Sequence, residues 1–179
     1  DVTPDMRRQA KAVNFGVVYG ISAFGLARNI GISNKEAAVF IENYFAQYPM
    51  VRTWIDATVA EAKDRGYVTT LMNRRRYIPE INGSDVQSRK GAERIAMNTP
   101  VQGTAADIIK IAMIRVDKAL EGTGADLLLQ VHDELLIEAP KKTAKKIAAT
   151  VQDIMQTAME LDVALTVDVG IGNHWAEIH

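Results

Sequence analysis

The sequence predicts an α+β fold, in which a mostly helical first half precedes a second half of antiparallel strands backed by helices. Helix signals follow one another through the first 66 residues. Two apolar runs, 127–131 and 135–139, then flank a short polar turn, which is the pattern of a β-hairpin. We therefore expect two lobes, 1–85 and 86–179.

The first two predicted helices carry clear start signals. Thr3 can cap a helix that has Pro4 as its first residue and runs toward Gly20. Ser33 opens the next helix, and Glu36 three positions later completes a capping box. That helix is predicted to end before the proline at position 49.

Further elements follow from periodicity and turn residues. A third helix is predicted for 50–66, and a short strand at 67–71 is expected to pair with its return at 77–79. Later helices are predicted from residue 85 to 98, where Pro100 interrupts, then at 101–120 and 143–160. Residues 163–169 complete the prediction as a final strand.

Composition narrows the class of protein. The 179 residues are 47% hydrophobic and 24% charged, as expected of a chain that buries a core. No cysteine is present, which excludes disulfides, thiolate metal sites and cysteine nucleophiles. No apolar run is long enough to span a bilayer, and the first residues lack the pattern of a secretory signal, so no membrane partner is expected.

Charge is distributed unevenly along the chain. Residues 1–100 contain 14 Lys and Arg against 10 Asp and Glu, whereas residues 101–179 contain 7 against 12. A basic half and an acidic half suit a protein that holds phosphates at one place and cations at another. Ordinary scatter of charge explains the same numbers.

One side of the first helix has the chemistry of a nucleotide site. Arg7, Lys11, Phe15 and Tyr19 recur every four residues, so they form a slowly winding stripe. Arginine and lysine suit phosphate oxygens, and the two rings suit a sugar or a base. Arg8 is displaced around the helix, where it could face a backbone phosphate. The alternative is a solvated basic face beside two core aromatics.

Two further groups of polar residues are candidates for binding. Asp133 and Glu134 lie with His132 at the predicted hairpin turn, where carboxylates could hold a hard cation. An ordinary surface turn and a structural histidine are the alternatives. A second group recurs every four residues along the later helices and could contact nucleic acid, or be a solvated polar face: Arg94, Asn98 and Gln102.

Three segments resemble those of one family. Residues 7–20 resemble motif B of family A DNA polymerases, R-x-x-x-K-x-x-x-F-x-x-Y-G, with every anchor in place. Residues 130–134 resemble motif C, V-H-D-E, and residues 92–107 are similar to the palm helix of the family. The resemblance implies a helical fingers lobe at 1–85 and part of an antiparallel palm sheet at 86–179, an incomplete right-hand polymerase fold.

The resemblance also implies roles for individual residues. The incoming dNTP would be bound by Arg7, Lys11, Phe15 and Tyr19, with Lys11 also taking part in catalysis. Asp133 would be a ligand of both Mg²⁺ ions of the complete enzyme, with Glu134 in a supporting catalytic role. Contacts with primer–template DNA would come from Arg8, Arg94, Asn98, Gln102 and His132. Charge on the run 74–76 could steer DNA, although a solvated turn explains it nearly as well.

These implications describe a DNA-directed DNA polymerase of bacterial type, acting in the cytoplasm at the nucleoid. Motif A, D-Y-S-x-I-E-L-R, which supplies another metal-binding Asp in the family, does not occur in this sequence. We therefore expect a fragment of a longer polymerase, inactive alone, that normally contacts the N-terminal part of the same protein and self-associates without it. The alternative is a module that binds nucleic acid or nucleotide without catalysis.

Overall fold

The computed structural model describes residues 2–178 and divides into two compact units, of which the first ends at Gly103 and the second begins at Thr104. The fold is α+β, as the sequence predicts. The lobe boundary predicted near residue 85 lies at the start of a long helix that runs past Gly103, and it stays a prediction.

The first unit contains four helices, a short hairpin and about half of a fifth helix. A 3₁₀ turn, Pro79–Asn82, follows the hairpin. The elements are α1 (Pro4–Val18), α2 (Ala23–Ile30), α3 (Asn34–Gln47), α4 (Pro49–Arg65), β1 (Tyr67–Thr69), β2 (Arg75–Tyr77) and α5 (Val86–Leu120).

The second unit contains the rest of α5 and the second hairpin. A final 3₁₀ turn spans Trp175–Glu177. The elements are β3 (Asp126–Val131), β4 (Glu134–Glu138) and α6 (Ala144–Gln156). None of the helices described between residues 2 and 178 is long and apolar enough to cross a membrane.

Each unit has its own apolar clusters. In the first unit, Leu26 and Ala37 join α2 to α3, and Ile78 and Ile81 pack with Ala96 of α5. In the second unit the hairpin is backed by helices, because side chains of β3 and β4 contact a buried cluster from α5 and α6. That cluster includes Val116, Leu120, Ile147 and Val151.

The predicted start signals of α1 and α3 are confirmed. The Met6 N–H donates to Thr3 Oγ1 at 3.2 Å, and Pro4 occupies the first helical position. At α3 the Glu36 N–H donates to Ser33 Oγ, and the Ser33 N–H donates to the Glu36 carboxylate at 2.9 Å. The hydrogen bond from the Ser33 hydroxyl, and then the one from its backbone, lowers the pKa of Glu36 below its ordinary value.

Helix α2 was not predicted. It has eight residues, with Ser22 accepting a hydrogen bond from the Gly25 N–H at 3.1 Å and Gly31 ending the helix at φ +74°. So short a helix is marginal by itself, and burial of Leu26 and Ala27 stabilises it. The serine and the glycine were local signals that could have located it.

The predicted interruption at Pro100 is wrong, because α5 continues through it. Proline removes one helical N–H, yet the flanking turns are held by burial of Ala92 and Ala96. Thr99 Oγ1 also donates to the Ile95 carbonyl at 2.7 Å. Packing therefore outweighs the local preference.

Three strand and helix boundaries also differ from prediction. The first hairpin returns at Arg75 rather than at 77, because Asn73 adopts φ +59° and tightens the turn. Helix α6 ends at Gln156, short of the predicted 160. No strand forms at 163–169, where the Val167 carbonyl accepts a hydrogen bond at 2.7 Å from the side chain of Gln152 on α6 rather than from a neighbouring strand.

Candidate nucleotide and nucleic-acid site

Helix α1 presents the predicted stripe to solvent. Arg7 and Lys11 are exposed, and among residues 2–178 neither forms an ion pair with a carboxylate. Two unpaired cations one helical turn apart create a local positive potential that attracts a polyanion. The stripe is therefore electrostatically available to a phosphate ligand.

Arg8 differs from its neighbour in having an internal partner. Its Nη2 lies 2.6 Å from Asp5 Oδ1 and its Nε lies 3.1 Å from the same oxygen. Gln9 donates to the other carboxylate oxygen at 3.2 Å. Both members of the pair are largely exposed, so the pair is weak and could open for a stronger anion.

The aromatic half of the stripe is formed and accessible. The rings of Phe15 and Tyr19 are stacked, with centroids 6.1 Å apart and planes at 29°. Phe15 is 54% exposed, although a large apolar ring is normally buried. The pair thus offers a flat apolar surface beyond the two cations, and the alternative of two core aromatics does not describe Phe15.

The helix ends immediately after Tyr19 in a tight C-terminal motif. The Ile21 N–H donates to the Gly16 carbonyl at 2.8 Å and the Gly20 N–H donates to the Val17 carbonyl at 3.1 Å, the two bonds of a Schellman motif. Gly20 has φ +74°, a left-handed conformation that favours glycine. The helix was predicted to run toward Gly20, and Gly20 terminates it, which fixes the chain direction directly beside Tyr19.

A cavity of about 300 Å³ opens where α1 ends. Its walls include Tyr19, Ser22 and Arg94 together with Gly16, Gly20 and Gly25. Because glycine has no side chain, the glycines expose backbone to the cavity. The side chains that line it include the Tyr19 ring, the Ser22 hydroxyl and the Arg94 guanidinium. The structure therefore brings together Tyr19 and Arg94, which the sequence predicted as separate contacts. Ser22 and Gly25 were missed, since no motif marked them.

The predicted track along α5 is partly accessible. Arg94 and Gln102 are exposed, and Asn98 is half-buried. Asn98 Oδ1 is a buried acceptor without a hydrogen-bond partner among the described residues. A buried polar atom without a partner costs free energy, so this amide is suited to a donor supplied by a ligand or by water.

The second unit carries the predicted carboxylates on a two-residue turn. Val131 pairs with Glu134 in the antiparallel register, which leaves His132 and Asp133 as the loop. His132 adopts φ +54°, as the first position of a II′-type hairpin turn requires. The Gln130 side chain donates to the His132 carbonyl and braces the turn. Asp133 is consequently exposed at a defined position.

The donor set for a metal is incomplete. Among residues 2–178, no group of three or more Asp, Glu or His side chains could hold an ion. Asp133 and Glu134 are adjacent along the chain, and Mg²⁺ usually takes one or two carboxylates with water and substrate phosphates. The described residues therefore do not by themselves fit a two-ion site, although Asp133 fits a contribution to one.

An exposed cationic and aromatic stripe on one helix, with a carboxylate-tipped hairpin later in the chain, is typical of a protein that handles nucleotides. The model of DNA polymerase family A matches residues 1–177. DNA polymerase I of Bacillus caldotenax is 55% identical over 177 residues, covering 98% of this chain and 20% of the relative. The thermostable DNA polymerase I of Thermus filiformis is 52% identical and is covered to 21%.

A solved structure agrees with these relatives. The polymerase domain of Pol1 from M. smegmatis, in complex with DNA primer-template and dNTP, has a TM-score of 0.95 and 46% identity, and the match covers 99% of this chain and 32% of that one. The chain belongs to DNA polymerase family A. It spans about a fifth of the length of the curated relatives it matches.

Proposed function

We propose that the chain is the part of a DNA-directed DNA polymerase that binds the incoming dNTP and part of the primer–template. Residues 1–85 would act as fingers and residues 86–179 as part of the palm. The observation that carries this proposal is the stripe on α1. There, two cations that have no carboxylate partner within residues 2–178 precede a stacked pair of rings, one exposed and one half-exposed. The M. smegmatis relative, which was solved in complex with DNA primer-template and dNTP, supports it.

Each residue of the stripe has a role in this proposal. Arg7 offers a planar fork to the triphosphate and Lys11 a compact charge one turn further on, where it would also stabilise charge that develops during transfer. Phe15 and Tyr19 would pack against the sugar and base, since their rings are exposed or half-exposed and already stacked. No rearrangement of the helix is needed to present these groups together.

The DNA contacts would come from polar groups of both units, each considered by itself. Arg94, Asn98 and Gln102 lie at successive turns of α5, and Asn98 supplies the acceptor that lacks a partner. His132 is held at the hairpin turn, and Arg8 could exchange its exposed bond with Asp5 for a backbone phosphate. DNA as substrate would place the protein in the bacterial cytoplasm, at the nucleoid.

Asp133 would be a ligand of Mg²⁺, with Glu134 beside it, in the complete enzyme. Hard cations favour carboxylate oxygens on a rigid support, and the braced hairpin turn provides one. Because the described residues supply too few donors for two ions, we propose that the chain alone does not polymerise. The same observation favours a second candidate function, binding of nucleotide or nucleic acid without catalysis.

The remaining donors would come from other parts of a longer polymerase, since the relatives are about five times longer. Leu128 and Leu129 on β3 are each 50% exposed, and within residues 2–178 the hairpin has no third strand. The other parts of the polymerase would cover this face, and in their absence two copies would associate through it. Sedimentation that shows only monomer at all concentrations would exclude the association.

Nucleotide binding provides the direct test. Lys11→Ala is expected to weaken dNTP binding at least tenfold, because a hydrogen bond to a charged group contributes about 1.5–3 kcal/mol. Arg8→Ala is the matched control, since it removes an equal charge from the same helix but one that Asp5 already pairs. Equal effects of both substitutions on dNTP affinity, measured by fluorescence titration, would contradict the assignment.

Primer extension tests whether the chain polymerises alone. The chain alone is expected to give no template-dependent product in the presence of Mg²⁺, while still retaining labelled dNTP in equilibrium dialysis. Extension by the isolated chain would show that its own carboxylates suffice. If the chain alone gave no extension and also retained no dNTP, the proposed nucleotide binding would be contradicted.

A further inference from the structure

The β1–β2 hairpin carries a cationic face that the assigned contacts do not use. In its antiparallel register Thr69 pairs with Arg75 and Tyr67 pairs with Tyr77, so these four side chains share one face. Val68 points to the opposite face and is buried, which fixes that face toward the core. The face with Arg75 is therefore the solvent side.

Arg75 is held in place by two tyrosines. Its guanidinium carbon lies 5.0 Å from the centroid of the Tyr67 ring, within the range of a cation–π contact. The Tyr67 and Tyr77 rings are 5.6 Å apart at 60°. A side-chain hydrogen bond with Tyr77, and then the nearby phenol of Tyr67, raises the pKa of Arg75. The charge is permanent and the planar fork is ordered before any ligand arrives.

In the part of the chain that the structure describes, Arg75 has no carboxylate partner. Among residues 2–178 neither Arg75 nor Arg76 forms an ion pair. Arg52 on α4 makes an informative comparison, because its guanidinium also lies 5.0 Å from an aromatic centroid, that of Phe45. Arg52 Nε, however, donates to Asp56 at 3.1 Å. Both arginines stack on an aromatic ring at the same distance, but Arg52 is paired with Asp56, whereas Arg75 remains available to an external anion.

The hairpin is anchored firmly enough to position that charge. Thr70 is 5% exposed, and its Oγ1 accepts hydrogen bonds at 3.2 Å from the N–H groups of Met72 and Arg74. A Cβ added at Gly103 of α5 would lie 2.6 Å from Thr70 Cγ2, so the turn of the hairpin sits directly against the helix. Gly103 follows Gln102, the last member of the predicted DNA track.

We propose that Arg75 binds the phosphodiester backbone of nucleic acid and extends the track of Arg94, Asn98 and Gln102 beyond α5. Phosphate fits because a guanidinium fork matches two of its oxygens, and because backbone contacts need charge and position but no base recognition. This inference rests on the proposed function, since it requires that the chain binds DNA. It adds a site that the α1 stripe and the hairpin carboxylates do not include.

The test measures DNA binding by fluorescence anisotropy between about 50 and 200 mM salt. Arg75→Gln keeps an aliphatic stem over Tyr67 and removes the charge. It is expected to weaken binding about tenfold and to reduce the salt slope by about 0.9 on duplex DNA, or about 0.7 on a single strand. Arg75→Lys should keep the slope and lose less affinity. Arg52→Gln, the matched control, should change neither quantity.

A parallel arm separates the two sources of phosphate. Arg75→Gln should leave dNTP affinity unchanged, and a loss confined to dNTP would overturn the proposal by assigning the residue to the triphosphate. If Arg75→Gln left both the DNA affinity and the salt slope unaltered, the proposal for Arg75 would also be overturned. The proposed function would then still stand, provided that the unsubstituted chain binds DNA. Absence of DNA binding by the unsubstituted chain would overturn both. Circular dichroism of each variant verifies folding, and Arg75→Met repeats the test should Arg75→Gln unfold.

Discussion

Substitution of Gly20 by alanine tests whether the end of α1 depends on close approach as well as on a left-handed backbone. Gly20 has φ +74°, and an added Cβ would lie 2.5 Å from Met97 Cε and 3.5 Å from Arg94 Cγ. Gly31, at the end of α2, also has φ +74° but has nothing within 4 Å of an added Cβ. The two positions share the backbone cost and differ only in their surroundings.

The expected magnitudes follow from this comparison. A left-handed conformation costs a residue with a Cβ about 1–2 kcal/mol, which applies to both positions. At Gly20 the terminal methyl of Met97 must also move, and a displaced side chain costs about 0.5–1.5 kcal/mol. We expect Gly31→Ala to lower the free energy of unfolding by about 1–2 kcal/mol and Gly20→Ala to lower it by about 1.5–3.5 kcal/mol.

Urea denaturation followed by far-ultraviolet circular dichroism measures both values, with equal slopes against denaturant indicating an unchanged folded state. Met97→Ala in the Gly20→Ala background should recover part of the difference, whereas it should not rescue Gly31→Ala. A loss at Gly20 no larger than that at Gly31 would refute the steric argument, because only the shared backbone cost would then remain.

Three further substitutions have defined outcomes. Pro100→Ala should raise the free energy of unfolding by about 1–3 kcal/mol, since it restores an N–H inside α5; a loss in urea denaturation would show that the helix needs the proline. Glu36→Gln should remove one source of acid sensitivity, because the pKa of Glu36 is lowered in the folded chain. The stabilisation by Glu36 is present above the ordinary glutamate pKa and is lost as pH falls through the folded pKa. Thermal melts between pH 3 and 7, about one unit apart, would detect this loss. His132→Gly should stabilise the hairpin by about 1 kcal/mol by relieving its positive φ, and a lower melting temperature would contradict this.

Local features of the fold were predictable from sequence because their causes are local. The caps at Thr3 and Ser33 depend on side chains that reach only three residues ahead, and both form as the spacing indicates. The second hairpin follows from two apolar runs around a polar turn, and its tip contains His132 and Asp133 as expected. The exposed stripe of α1 follows from a period of four on a helix.

Features that depend on distant partners could not be read from the sequence. Whether α5 would continue through Pro100 depended on the burial of Ala92 and Ala96. Residues 163–169 have the composition of a strand, but the Val167 carbonyl accepts its hydrogen bond from the Gln152 side chain rather than from a neighbouring strand. The cavity beside Tyr19 joins Arg94 to glycines about 70 positions earlier in the chain, and no spacing rule brings such residues together.

The motif that ends α1 restricts how this part of the chain can vary. A Cβ at Gly16 would lie 3.0 Å from Ile21 Cγ2, and the Ile21 N–H is bonded to the Gly16 carbonyl. A side chain at position 16 therefore requires Ile21 to shift by a few tenths of an ångström or to be replaced by a smaller residue, while position 20 keeps its left-handed geometry. Libraries that randomise one of these sites at a time should recover few functional clones. Joint randomisation of positions 16 and 21 should recover paired exchanges of side-chain volume.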